Sequence, residues 1–275
     1  MRKLVVYTET DTESLRTAAE IGWDGVFVEW TRGFDPDETL RRIREQGLFL
    51  QSVHAPFGGI WRLWEGDGEA AAAELDEQLA CLRDTARMGC DLVILHAIIG
   101  MERNSPTEQD VKRGVERFAK LVGAARELGI RIAFENTEGE VYLKTLLDAF
   151  DAEPHVGFCV DTGHELCYNR AKDMIGAYGK RLFGTHLNDN MGMTGETPTW
   201  CDDSHMLPFD GIADWVGIAR RLKAADFTGP LTFELVKVNR PDRHTNDRYE
   251  RMSYREYMTA AYEHARCFAS IVEHT

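Results

Sequence analysis

The feature that most constrains this chain is an alternation. Short runs rich in β-branched and aromatic residues recur between longer stretches whose apolar residues repeat at the helical period. The β runs lie near 3–8, 25–30, 48–55, 91–97, 130–136, 156–162, 182–188 and 230–236. Helical patterns lie near 11–21, 36–46, 70–88, 107–128, 141–150, 171–180, 211–225 and 247–272. In the last of these Tyr254, Tyr257, Met258, Ala261, Ala265 and Phe268 share one face. Thr107 and Asp110 form a capping pair that opens the fourth helix. Gly22, Gly47, Gly89 and Gly129 stand just before strands, where a left-handed helix stop needs no Cβ.

Eight strand–helix units without a Pro/Ser linker or a break in composition predict one domain over residues 1–275, a single (β/α)8 TIM barrel of the α/β class. The length of 275 residues fits, since such barrels run to about 250. A doubly wound open sheet also alternates, but no G-x-G-x-x-G follows the first strand and no P-loop occurs.

Charge narrows the function. Lys and Arg number 32 against 46 Asp and Glu, a formal net of −14, which disfavours a phosphate-gripping protein and suits one that collects divalent cations. Six scattered cysteines without a Cys-x-x-Cys pair, and an N-terminus lacking an export signal, lead us to expect reduced thiols and a cytoplasmic location. No apolar run approaches the roughly 20 residues of a membrane span, so no membrane partner is expected.

In such a barrel the active site is built from the C-terminal strand ends and the loops after them. These ends read Val53-His54-Ala55, Leu95-His96, Phe134-Glu135-Asn136-Thr137, Val160-Asp161-Thr162-Gly163-His164, Thr185-His186-Leu187-Asn188-Asp189 and Phe233-Glu234. A lone histidine at a strand end is usually a hydrogen-bonded structural residue. Six consecutive ends drawn from metal-ligand types point instead to a divalent metal, because clustered carboxylates need a cation to offset their repulsion. Mixed imidazole and carboxylate donors suit Zn, Mn, Fe or Co better than Ca.

These residues, in this order and over nearly the whole chain, resemble the xylose isomerase-like barrel superfamily. It holds sugar isomerases and epimerases, inosose-processing enzymes and the endonuclease IV class of abasic-site nucleases. The resemblance implies a metal core of Glu135, Asp161, His186 and Glu234, with an intact Asp-x-x-His at Asp161 and His164. The nuclease branch implies more: His54, His96 and Glu135 on one ion, the four core residues on a second, and His164, Asp203 and His205 on a third. One ion is expected, with three in the nuclease-like case; Zn, Mn, Co, Fe and Mg are the candidates.

Between the branches we expect sugar. The loop from His186 to Asp210 carries five acidic residues and no Lys or Arg, which would repel a nucleic-acid backbone. The aromatic loop from Phe57 through Trp61 to Trp64, with Trp30 and Trp200, could wall a pocket against sugar C–H groups, and ordinary packing is the competing account. His54 and His96 are then substrate contacts if they hold no ion.

The expected chemistry is a metal-assisted proton shift through an enediolate, with Glu135 and Glu234 as proton-transfer groups and His164 on a substrate oxygen. Ketose 3-epimerases of the superfamily place an arginine past the seventh-strand histidine; here that stretch is Asp189-Asn190-Met191-Gly192-Met193, so a ketose 3-epimerase is not claimed. Arg240, Arg243 and Arg248 either hold a sugar phosphate or are solvated loop charge. Glu29 either supports the site or merely stands on the rim. The expected partner is a small sugar or sugar derivative, with pairing into a dimer or tetramer unsurprising. An abasic-site nuclease and an inactive metal or carbohydrate binder are the alternatives.

Overall fold

In the computed structural model, residues 2–65, 68–100 and 105–275 are described. Eight parallel strands form one sheet in the order β7-β6-β5-β4-β3-β2-β1-β8. They are β1 Leu4–Tyr7, β2 Gly25–Glu29, β3 Phe49–His54, β4 Leu92–His96, β5 Arg131–Glu135, β6 Val156–Asp161, β7 Leu182–His186 and β8 Leu231–Phe233. Each falls on an expected run, with ends differing by no more than three residues. The helices are α1 Thr12–Ile21, α2 Pro36–Glu45, α3 Glu69–Arg87, α4 Glu108–Leu128, α5 Glu140–Ala149, α6 Thr162–Cys167, α7 Met174–Tyr178, α8 Trp215–Ala224, α9 Asp247–Glu250 and α10 Tyr254–His274. The chain is thus a (β/α)8 TIM barrel.

Closure rests on a thin seam. β7 and β8 meet through a parallel bridge between Leu187 and Phe233, with Leu187 N donating to Thr232 O at 2.8 Å. The Thr185 hydroxyl completes the seam by accepting from Thr232 N at 3.1 Å.

The period-two alternation of a strand explains both the core and the site. Val93, Leu95, Ile132, Phe134, Phe158 and Val160 point outward into the main core beneath the helices. Leu92, Ile94, Ala133 and Cys159 point inward and form a separate small apolar cluster with Phe183 against it. Two residues further along the same inward face lie His96, Glu135 and Asp161, and His186 follows Gly184 in the same way. The barrel floor is therefore apolar and its upper layer is made of ligating side chains.

Three expected helices differ from their predicted spans, and α6 forms where none is expected. The stretch near 171–180 is helical only over Met174–Tyr178, before a 3-10 turn at Gly179–Arg181. The helix expected from 211 starts at Trp215, capped by Asp214, which accepts from Gly217 N. The final pattern is two helices, because Ser253 caps α10 in a box with Glu256 and so ends the run begun at Asp247. Thr107 and Asp110 form the expected box at α4. Gly22, Gly47, Gly89 and Gly129 all take positive φ. All six cysteines are unpaired. Among the described residues no helix is long and apolar enough to cross a membrane.

Candidate metal centre

The six strand ends deliver their side chains to one place. Glu135, the last residue of β5, is fully buried at the middle of the group. Its Oε2 lies 3.3 Å from His54 Nε2 and 3.5 Å from His96 Nε2. Its Oε1 lies 3.4 Å from His164 Nδ1 and 3.2 Å from His186 Nδ1. His186 Nδ1 also stands 3.0 Å from Glu234 Oε2. Strand register sets these neighbours, since His96 pairs with Glu135 and Asp161 with His186.

Asp161 shows how a local rule serves the site. It ends β6 and caps α6, its Oδ1 accepting from His164 N at 2.6 Å. The cap turns the chain so that His164, three residues on, faces back into the barrel mouth. Asn188 Nδ2 donates to Asp161 Oδ2 at 2.7 Å. Asn136 spans the back, donating to Asp161 O and Asn169 Oδ1, both at 2.9 Å, and accepting from Asp161 N at 2.8 Å.

The loop after β7 supplies Asp203 and His205. His205 Nε2 lies 3.0 Å from Asp203 Oδ1, and His164 Nε2 lies 3.3 Å from Asp203 Oδ2. Asp189 anchors this loop, accepting from Phe209 N, Ala213 N and the Trp215 indole within 3.0 Å. His205 itself adopts a left-handed φ of 44°, a strained choice for a side chain with a Cβ.

The donor set fits a divalent cation. Three histidines point Nδ1 at a backbone carbonyl: His54 at Ala55 O, 2.8 Å, His164 at Asn136 O, 2.9 Å, and His205 at Glu234 O, 3.1 Å. A carbonyl only accepts, so each Nδ1 must donate, and each Nε2 then faces a carboxylate oxygen. Two lone pairs at that range repel unless a proton or a metal ion stands between them. Outer hydrogen bonds of this kind also orient metal-ligating histidines. Both ring nitrogens of His186, buried and stacked on Phe27 at 4.8 Å, lack a hydrogen bond among the described residues. Three groups place ligand atoms within 4.8 Å of one another: Glu135, Asp161, His186 and Glu234; His54, Glu135 and His186; and Asp161, His164 and His205.

Without an ion, protons take up the imbalance. Burial would raise the Glu135 carboxyl, but His186 and the neighbouring histidines hold it well below 4.5. Burial acts the same way on Glu234, which His186 draws down to about 2. Asp161 is lifted by burial to about 6 despite His164 and His205. Burial disfavours charge on His205, yet Asp203 carries it up to about 9. His164 and His186 are likewise raised well above 6.5, their facing carboxylates overcoming burial.

Above this layer opens a cavity of about 320 Å³ lined by His54, His96, His164, Asp203, His205 and Glu234. Its walls add Tyr7, Glu29, Phe57, Glu138, Tyr168, Trp200 and Arg240. A larger cleft of about 580 Å³ opens at the other end of the barrel, by Phe49, Asp91, Arg131 and Phe227, away from every ligating cluster named above. Of the expected aromatic wall, Phe57 and Trp200 line the mouth. Trp61 packs against the core under the Arg62 guanidinium and is not a lining residue, and Trp30 is buried with its indole on Asp84.

Tyr7, Glu138 and Tyr168 were not singled out from sequence. Tyr168 stands four residues after His164 with ring centroids 4.9 Å apart, the spacing of one helix face. Glu138 follows Glu135 by three residues in the same rim segment.

Residues 15–255 match the family model described as Xylose isomerase-like TIM barrel. The uncharacterized protein y4fM of Sinorhizobium fredii is 35% identical over 223 residues, 71% of this chain and 69% of its own length. The fold is similar to D-psicose 3-epimerase from Clostridium cellulolyticum, at TM-score 0.69 and 16% identity over 98% of this chain and 99% of that one. It is similar to 3-keto-D-glucoside 4-epimerase YcjR from E. coli, at 0.70 and 17% over 96% and 100%. A xylose isomerase domain protein from Planctomyces limnophilus gives 0.73 and 15% over 100% and 99%. The matched span and the barrel agree, and the chain belongs to the xylose isomerase-like TIM barrel family.

Proposed function

We propose that this protein is a divalent-metal-dependent isomerase or epimerase of a small sugar, sugar phosphate or polyol derivative. The observation that carries the reading is the group Glu135, Asp161, His186 and Glu234, the first three buried and Glu234 half-buried in the wall of a mouth sized for one small molecule. The family match and the fold likeness to two sugar epimerases support it.

A divalent ion held by those four residues would supply Lewis-acid polarisation of a carbonyl and its neighbouring hydroxyl. The chain's own groups then move the proton. Glu135 ends β5 and Glu234 follows β8, both within 3.2 Å of His186 Nδ1, and in this reading the two carboxylates serve opposite faces of the substrate. One carboxylate takes the proton from the carbon beside the carbonyl, and the other returns it. Return to the same carbon from the opposite face epimerises; return to the neighbouring carbon isomerises. His164, in the cavity wall, holds a substrate oxygen or carries its proton. His54 and His96 crowd the Glu135 side and contact substrate there. Trp200 gives the mouth an apolar face for sugar C–H groups.

Incubation with ketoses and inososes in deuterium oxide tests this. Wild-type protein places deuterium on carbon, and Glu135→Gln and Glu234→Gln lose that signal. Wild-type rates in both variants would remove the assignment.

One observation favours a second reading, a trinuclear zinc phosphodiesterase acting on abasic sites. His164, Asp203 and His205 join the core as a contiguous third group. Against it, Arg240 is the one Lys or Arg among the described lining residues, which disfavours a grip on a phosphate backbone. Nicking of an abasic duplex by zinc-loaded protein would establish that reading instead.

A further inference from the structure

Arg240, Arg243 and Arg248, which follow β8, cannot be told apart by sequence, but their surroundings separate them. Arg243 is locked by Asp202 Oδ1 and Thr194 Oγ1, both at 2.9 Å from Nη2. Arg248 lies over the Tyr249 ring at 5.5 Å and does not line the cavity. Arg240 alone reaches the mouth.

Its guanidinium is fixed on two sides. Nε donates to the Asp203 carbonyl at 2.6 Å, and the guanidinium carbon stands 5.8 Å from the Trp200 ring centroid. Nη2 is 3.6 Å from Asp203 Oδ2, too far for a hydrogen bond, and neither Nη makes one among the described residues. Asp203 is no dedicated counter-ion, because His164 and His205 already face both its oxygens. A guanidinium stacked on an aromatic ring, tied at Nε and open at its outer edge, is a preorganised fork for two acceptor oxygens. Trp200, 55% exposed, offers the adjoining apolar surface.

We propose that Arg240, backed by Trp200, sets specificity by gripping an oxyanion, a carboxylate or a phosphate, at the end of the substrate remote from the metal-ligating layer. This deepens the sugar reading and rests on it for the identity of the reacting end. Binding at Arg240 is nevertheless measurable without turnover.

The test titrates metal-loaded full-length protein calorimetrically with D-glucitol, D-gluconate and D-glucitol 6-phosphate. Wild type, Arg240→Lys, Arg240→Gln and, as a control away from the cavity, Arg248→Gln are compared at equal metal content. At least one anion should bind roughly 10- to 100-fold tighter than glucitol, the range of charge-assisted pairs. That advantage should vanish in Arg240→Gln, persist in part in Arg240→Lys and stay whole in Arg248→Gln, with glucitol affinity unchanged throughout. The preferred anion identifies the group as carboxylate or phosphate. Equal binding of all three probes, no binding of either anion, or an advantage that survives Arg240→Gln would overturn the proposal. An anion preference without carbon–deuterium exchange would leave Arg240 as assigned and refute the isomerase reading alone.

Discussion

Asn188 donates its amide to Asp161 Oδ2 at 2.7 Å, so the segment after β7 sets the carboxylate that ends β6. Asn188 does not itself line the cavity and acts through Asp161. Asn188→Ala should weaken divalent-metal affinity by roughly 10- to 100-fold, as loss of an outer-layer partner does elsewhere. Competition with a fluorescent chelator measures it, and an unchanged affinity would show that Asp161 needs no such support.

Gly163 provides an independent check on the same contact. A Cβ there would lie 1.9 Å from Asn188 Oδ1, and the amide is already tied to Asp161. Gly163→Ala should cost about 1–3 kcal/mol by overpacking and lower metal affinity as Asn188→Ala does. Thermal unfolding with and without metal reads both effects; a variant with wild-type values in each would refute the crowding.

The barrel seam predicts a stability effect away from the site. Thr185→Val removes the hydroxyl that accepts from Thr232 N and leaves that buried amide unpaired. The loss should be about 1–3 kcal/mol in urea unfolding of the metal-free chain. A change within error would mean that the Leu187–Phe233 bridge closes the barrel alone.

Asp110 gives a pH dependence with a defined sign. Its hydrogen bonds with the Thr107 hydroxyl and amide hold its carboxyl below 3.8. A depressed carboxylate contributes stability fully above its unfolded value and loses it as pH falls through the folded one. Asp110→Asn should therefore cost up to about 1 kcal/mol at neutral pH, with the gap to wild type closing well below pH 3.8. Urea midpoints across that range check it, and a gap that widened in acid would contradict the cap.

Much of this was legible because two periods carry it. The eight strands and the larger helices follow from alternating and 3.6-residue patterns, and the ligand row at the strand ends needs only chain order. The six-residue α6 was missed because it is shorter than any periodic window, although Asp161 and His164 carry its cap. The break before α10 was written in Ser253 and Glu256, a capping box hidden inside an apolar run that continues past it. Trp61 lies against the core and not in the mouth, because residue type does not encode which way a loop turns. Arg240 could not be separated from Arg243 and Arg248, since partners such as Asp202 and Trp200 lie some forty residues away in sequence and meet them only in the fold.

Sugar chemistry at this site requires that Glu135, Asp161, His186 and Glu234 hold a divalent ion. Elemental mass spectrometry on protein purified without chelator tests it most directly. About one Mn, Co, Fe, Zn or Mg ion per chain is expected, lost in His186→Ala. No bound metal, or an occupancy unchanged by His186→Ala, would contradict it. Three zincs per chain would contradict the single-ion sugar site and favour the phosphodiesterase.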